Sequence, residues 1–74
     1  MITVVFFASL REAMDSAGCT VSDASTVAEV WDRATAASPI PPSILCAING
    51  QLSSWQAEVS PGDEVAFFPP MTGG

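Results

Sequence analysis

The residues with the most chemical promise are the last six, Pro69-Pro70-Met71-Thr72-Gly73-Gly74. Glycine has no Cβ, so Gly73 and Gly74 can lie extended in a channel too narrow for any side chain and leave a terminal carboxylate unhindered. Such a carboxylate is a weak electrophile until another enzyme turns it into an acyl-adenylate or a thiocarboxylate. Pro69 and Pro70 fix φ at about −65° and lack an N–H, which ends the preceding strand and sends the tail off in a semi-rigid, polyproline-like direction. Fully extended, these six residues reach roughly 20 Å.

No other group competes with that carboxylate. The chain has no histidine, so it lacks a Ser-His-Asp set, a Cys-His nucleophile and an imidazole metal ligand. Cys19 and Cys46 lie far apart and outside any C-x-x-C pattern; they are expected as small, reduced core residues. Asp63 and Glu64 are adjacent, and alternation sends neighbours to opposite sides, so they make no acid/base pair. Asp15, Asp23, Glu29, Asp32 and Glu58 are scattered, as solvated surface would be. Nothing matches a phosphate-binding glycine loop. The expectation is a chain that binds no cofactor or metal of its own and whose reactive group is its end.

Eight carboxylates stand against two cations, Arg11 and Arg33, for a net charge of −6. Such a surface repels phosphate backbones and anionic lipid, which argues against nucleic-acid and membrane roles and for partners that are basic where they meet it. The absence of lysine means that the chain can donate an acyl group but offers no side-chain amine to receive one. Its 74 residues make one small domain, burying about 60% of the surface of the unfolded chain, so a deep private active site is not expected. The organisation read from composition is a globular domain over residues 1–68 and an extended Gly-Gly tail over 69–74. Met1 to Leu10 is apolar but lacks the basic leader and the length of a signal peptide, which points to the cytoplasm.

The elements that must position the tail follow from periodicity. Ile2 to Phe7 is a β-branched and aromatic run that predicts a first strand, with Ile2, Val4 and Phe6 on one face and Thr3, Val5 and Phe7 on the other. Ser9 to Ser16 carries Leu10, Ala13 and Met14 at helical spacing, a short helical turn expected to end at Gly18. Cys19 to Ser22 is expected to form a hairpin with the first strand. Thr26-Val27-Ala28-Glu29 fits a capping box. Val27, Val30, Trp31, Ala34 and Ala37 then mark the apolar stripe of a main helix over about 26–37, stopped by Pro39, Pro41 and Pro42. Ile44 to Ile48 is a strand of buried type, Asn49-Gly50 a tight turn before Gln51-Leu52, Ser60 to Asp63 another turn, and Glu64 to Phe68 the last strand. The order predicts an α+β fold: a ubiquitin-like β-grasp roll, with a mixed four- to five-stranded sheet packed on one main helix.

The doublets Phe6-Phe7 and Phe67-Phe68 add a surface to this picture. Consecutive strand residues face opposite ways, so if Ile2, Val4, Phe6, Val65 and Phe67 line the core, Phe7 and Phe68 remain on the open face, with Leu52 beside them. Three apolar side chains together on a small acidic domain point to a protein interface.

Val4-Val5-Phe6-Phe7-Ala8-Ser9-Leu10-Arg11-Glu12, Ala47-Ile48-Asn49-Gly50-Gln51-Leu52 and the run from Gly62 through Phe67-Phe68-Pro69-Pro70 to Gly73-Gly74 closely resemble the small-subunit family of molybdopterin synthase (the MoaD family). Met71 departs from the valine usual there. The resemblance implies a non-catalytic sulfur carrier in molybdenum cofactor biosynthesis. An ubiquitin-activating-like adenylyltransferase would use ATP and magnesium to adenylate Gly74, and a sulfurtransferase would convert the adenylate to a thiocarboxylate. The large subunit would hold the catalytic residues and accept the tail, from Pro69, Pro70, Met71 and Thr72 to Gly73 and Gly74, in a heterotetramer of two small and two large subunits. Phe7, Leu52 and Phe68 fall at that family's hydrophobic interface. The alternatives are the sulfur carrier of thiamine biosynthesis, whose family lacks the Phe-Phe-Pro-Pro stretch, and a ubiquitin-like protein modifier.

Overall fold

The structure, a computed structural model, describes residues 1–70. Its elements are β1 (Ile2–Phe6), α1 (Ala8–Ala13), β2 (Gly18–Val21), α2 (Val27–Thr35), β3 (Leu45–Ile48), β4 (Gln51–Ser53) and β5 (Glu64–Phe68). The five strands form one mixed sheet in the order β2-β1-β5-β3-β4. Only the central pair, β1 and β5, runs parallel; the other neighbours are antiparallel. With α2 packed across one face, this is the expected β-grasp arrangement with five strands.

Alternation assigns the core. Ile2, Val4 and Phe6 of β1, Val65 and Phe67 of β5, Cys46 of β3 and Val21 of β2 are buried together with Val27, Val30 and Trp31 of α2. Around Trp31 the aromatic rings interlock: Phe6 and Phe67 meet its indole edge-on, with centroids 6.2 Å and 5.1 Å away. Trp55, which no periodicity singles out, stacks on Phe67 at 5.4 Å and meets Trp31 edge-on at 5.9 Å. Edge-to-face and offset-stacked pairs of this kind add to plain burial because the ring quadrupoles are complementary.

The capping box forms at the start of α2, one residue wider than expected. The Glu29 N–H donates to Thr26 Oγ1 at 3.3 Å, but the Glu29 carboxylate accepts the N–H of Ser25, at 2.8 Å, and not that of Thr26. The next free amides are taken by a neighbouring loop: Val27 N–H donates to Ala57 O (3.0 Å) and Ala28 N–H to Trp55 O (2.9 Å). Four unsatisfied donors at a helix N-terminus are costly if covered, and the segment after β4 supplies acceptors while its Trp55 packs below.

Some boundaries differ from those expected. Phe7 is not a strand residue but the N-cap of α1. Gly18 does not end that helix; the chain turns at Asp15, which has φ 52°, and Gly18 opens β2. A Cβ at Gly18 would lie 2.1 Å from the carbonyl oxygen of Val4, so glycine is needed there for close strand approach rather than as a helix stop. Helix α2 ends at Thr35, before the prolines, because Trp31 Nε1 donates to Ser38 O (2.8 Å) and Thr35 Oγ1 accepts from Ser38 N–H (3.2 Å). Ala36 and Ala37 therefore turn through φ 55° and 62°, and Ala37 is exposed rather than on the apolar stripe.

Candidate functional site

The face of the sheet turned away from α2 is built by the same alternation that builds the core. Val65 and Phe67 are fully buried, so Glu64, Ala66 and Phe68 of β5 must point the other way. Register then brings their neighbours alongside. Val5 pairs with Ala66 from β1, Leu45 with Phe68 and Ala47 with Ala66 from β3, and Leu52 with Ala47 from β4. Phe7 follows β1 and donates its N–H to Phe67 O at 3.1 Å, which sets its side chain next to Phe68.

Phe7 is 51% and Leu52 72% exposed, whereas Phe68 is half-buried between the Leu45 and Phe7 positions. Between Phe7 and Phe68 runs an open groove of about 640 Å³, walled mainly by Phe7, Ala47, Ala66, Phe68, Pro69 and Pro70, with Gly50 and Glu64 at its far end; Leu52, paired with Ala47 on the neighbouring strand, does not line it. Pro69 and Pro70 line the rim where β5 finishes, so the root of the tail lies at the edge of this groove. Met71, Thr72, Gly73 and Gly74 lie outside the described residues.

Leu45, 39% exposed, extends the apolar face and was missed because Ile44 to Ile48 reads as a continuous buried run. The inward position of Cys46 was the available signal, since it places both of its neighbours outward. Ala47 is buried although it faces outward, because it forms the groove floor.

The rest of the surface offers little chemistry. Among the described residues no cluster of histidine, cysteine, aspartate or glutamate could hold a metal ion. Cys19 is half-buried and Cys46 buried, both as free thiols. Burial pushes both thiols above their ordinary range, which suppresses the nucleophilic thiolate. Cys46 donates weakly to Ser53 O at 3.2 Å. Asp63 is held below the usual carboxylate range by the N–H of Ser60, with help from the Asn49 side chain. Its Oδ2 accepts from Ser60 N–H at 2.8 Å and its Oδ1 from Asn49 Nδ2 at 3.1 Å, while Asn49 Oδ1 accepts Glu64 N–H at 2.9 Å. Asp63 thus staples two turns together. No helix of the described residues is long and apolar enough to cross a membrane.

Comparison with known proteins agrees with this fold. The ThiS family profile matches residues 4–74. The molybdopterin synthase sulfur carrier subunit of Escherichia coli K12 is 38% identical, with all of both chains covered. The corresponding subunit of Haemophilus influenzae Rd is 34% identical, again over the whole of both chains. Among solved structures, SAMP1 from Haloferax volcanii superposes with a TM-score of 0.75 at 26% identity, covering 99% of this chain and 98% of that one. A crystal structure of H. volcanii small archaeal modifier protein 1 gives 0.73 at 25% identity, covering 95% and 97%. The chain belongs to the ThiS family, and along its whole length it resembles the molybdopterin synthase sulfur carrier subunits.

Proposed function

We propose that this chain is the sulfur carrier subunit of a molybdopterin synthase. The observation that carries this reading is whole-length similarity to two such subunits, combined with an apolar groove that ends at the root of the tail. In this reading residues 1–68 are the docking domain and residues 69–74 are the arm. A partner adenylyltransferase, using ATP and magnesium, joins the Gly74 carboxylate to AMP and releases pyrophosphate. A sulfurtransferase then supplies the sulfur that displaces AMP, leaving a thiocarboxylate. The large subunit covers the Phe7–Phe68 face, receives the tail and supplies the catalytic residues.

Sulfur is the better nucleophile of the two thiocarboxylate heteroatoms, so it forms a carbon–sulfur bond to cyclic pyranopterin monophosphate at a carbon whose oxygen substituent departs as the bond forms, giving a thioester between carrier and pterin. Water then attacks the Gly74 carbonyl, the carbon–sulfur bond to the carrier breaks, sulfur stays on the pterin and the carboxylate is regenerated. Two loaded carriers are consumed for each dithiolene, which suits a heterotetramer of two small and two large subunits. The carrier contributes cargo, reach and a docking surface; proximity within the large subunit does the rest.

The test is reconstitution with the large subunit, activating enzyme, ATP and a sulfur donor. Intact mass should show one oxygen of the carrier replaced by sulfur, and molybdopterin should form. Absence of product from a demonstrably thiocarboxylated carrier sinks the proposal, as does a stable complex with thiazole synthase in place of the large subunit. The likeness to a small archaeal modifier protein favours a second reading, in which Gly74 is joined to lysines of other proteins. A ladder of covalent adducts on a denaturing gel of cell extract would select that reading.

A further inference from the structure

Building on the proposed docking of a large subunit, one member of the groove does not belong to an apolar interface. Glu64 shares the outward face of β5 with Ala66 and Phe68 and lines the end of the groove farthest from the tail. Its backbone is engaged, with N–H donating to Asn49 Oδ1 and C=O accepting Asn49 N–H at 2.8 Å, so the strand position is set while the side chain faces the groove. Neither arginine of this chain serves it: Arg11 borders the crevice around α1, and Arg33 lines the cleft between β2 and α2.

A protein that covers Ala66 and Ala47 also strips water from the adjacent carboxylate. A carboxylate desolvated without a counter-charge opposes association, whereas one met by a cation does not. We propose that Glu64 orients the docked carrier: the occupant of the groove is a protein surface that sets an apolar side chain against Phe7 and Phe68 and a cationic side chain, arginine or lysine, against Glu64. Glu64 and Phe68 are four residues apart on one face, so the two contacts stand about 13 Å apart along the strand. That spacing gives the groove a direction. With the cation at the Glu64 end, the Pro69–Pro70 rim meets the partner's apolar side; a carrier docked the other way round would place the cation on Phe68 and leave Glu64 unpaired.

The experiment measures binding of the molybdopterin synthase large subunit to the wild-type carrier and to Glu64→Gln, Glu64→Lys and Asp23→Asn variants, at low and high salt. Circular dichroism checks that each variant is folded. Wild-type affinity should fall as salt screens the pair. Glu64→Gln should bind about fivefold more weakly at low salt and lose most of the salt dependence, with Glu64→Lys weaker still. Asp23→Asn, which changes net charge equally from an exposed loop, should behave as wild type. Equal binding and equal salt slopes for wild type and Glu64→Gln would overturn the inference, as would an equal loss in Asp23→Asn. Failure of the wild-type carrier itself to bind the large subunit would instead overturn the reading on which this inference rests, and the inference with it.

Discussion

Phe67 and Phe68 are neighbours in sequence on opposite sides of the sheet. Phe67 is fully buried, 5.1 Å from the Trp31 ring and 5.4 Å from that of Trp55, whereas Phe68 borders the open groove beside Phe7. The same residue type therefore has two different roles, and two substitutions separate them. Phe67→Ala should cost about 3–5 kcal/mol, a large part of the total for a domain of this size, and urea unfolding should show a marginal or unfolded protein. Phe68→Asp should cost about 1 kcal/mol or less and instead weaken the complex with the large subunit. A Phe68→Asp protein that fails to fold would place that ring in the core.

The tail should behave as chemistry rather than structure. One residue added after Gly74, or Gly74 deleted, should abolish sulfur delivery in the reconstituted system while the thermal melt stays within error of wild type. Activity surviving either change would remove Gly74 from the mechanism.

Gly18 should tolerate no side chain. The Cβ of Gly18→Ala would collide with the Val4 carbonyl, which is backbone and cannot swing aside. Separating β1 from β2 should cost about 2 kcal/mol or more, visible as a lower denaturation midpoint. Gly62→Ala is the contrast: nothing lies within 4 Å of its Cβ, and only its φ of 94° opposes the change, so its cost should be that of backbone strain alone.

Asp63 gives stability a defined pH dependence. Its folded-state acidity is raised by the Ser60 N–H and the Asn49 side chain, so its pKa lies below the unfolded value of about 3.9. A lowered folded pKa stabilises the protein fully above the unfolded value and loses that contribution as pH falls through the folded one. The stability difference between wild type and Asp63→Asn should therefore be present at neutral pH and shrink below about pH 4, as read from urea midpoints across that range. A difference that grows on acidification would contradict the assignment.

Much of this was legible because periodicity is local. A period of two placed Ile2, Val4, Phe6, Val65 and Phe67 inward and left Phe7 on the opposite face; a period of 3.6 and a Thr26–Glu29 cap marked α2. Asn49-Gly50 marked its turn because both positions adopt positive φ, at 50° and 83°, which this residue pair tolerates better than most. The role of Gly18 was not legible, since its reason is a carbonyl fourteen residues away in β1. Trp55 was silent for the same cause: its partners Trp31 and Phe67 come from elements distant in sequence.

Local residue pattern, then, determined by itself which side chains turn inward, where the helix caps, and that the chain carries Pro-Pro and Gly-Gly after its last strand. Only the tertiary structure decided that β1 and β5 run parallel at the centre of the sheet, and that Glu64 lies at the far end of the groove from the tail's root. Those are matters of strand pairing, and pairing is chosen by the burial of the whole sheet against α2, to which each segment contributes and which none of them encodes alone.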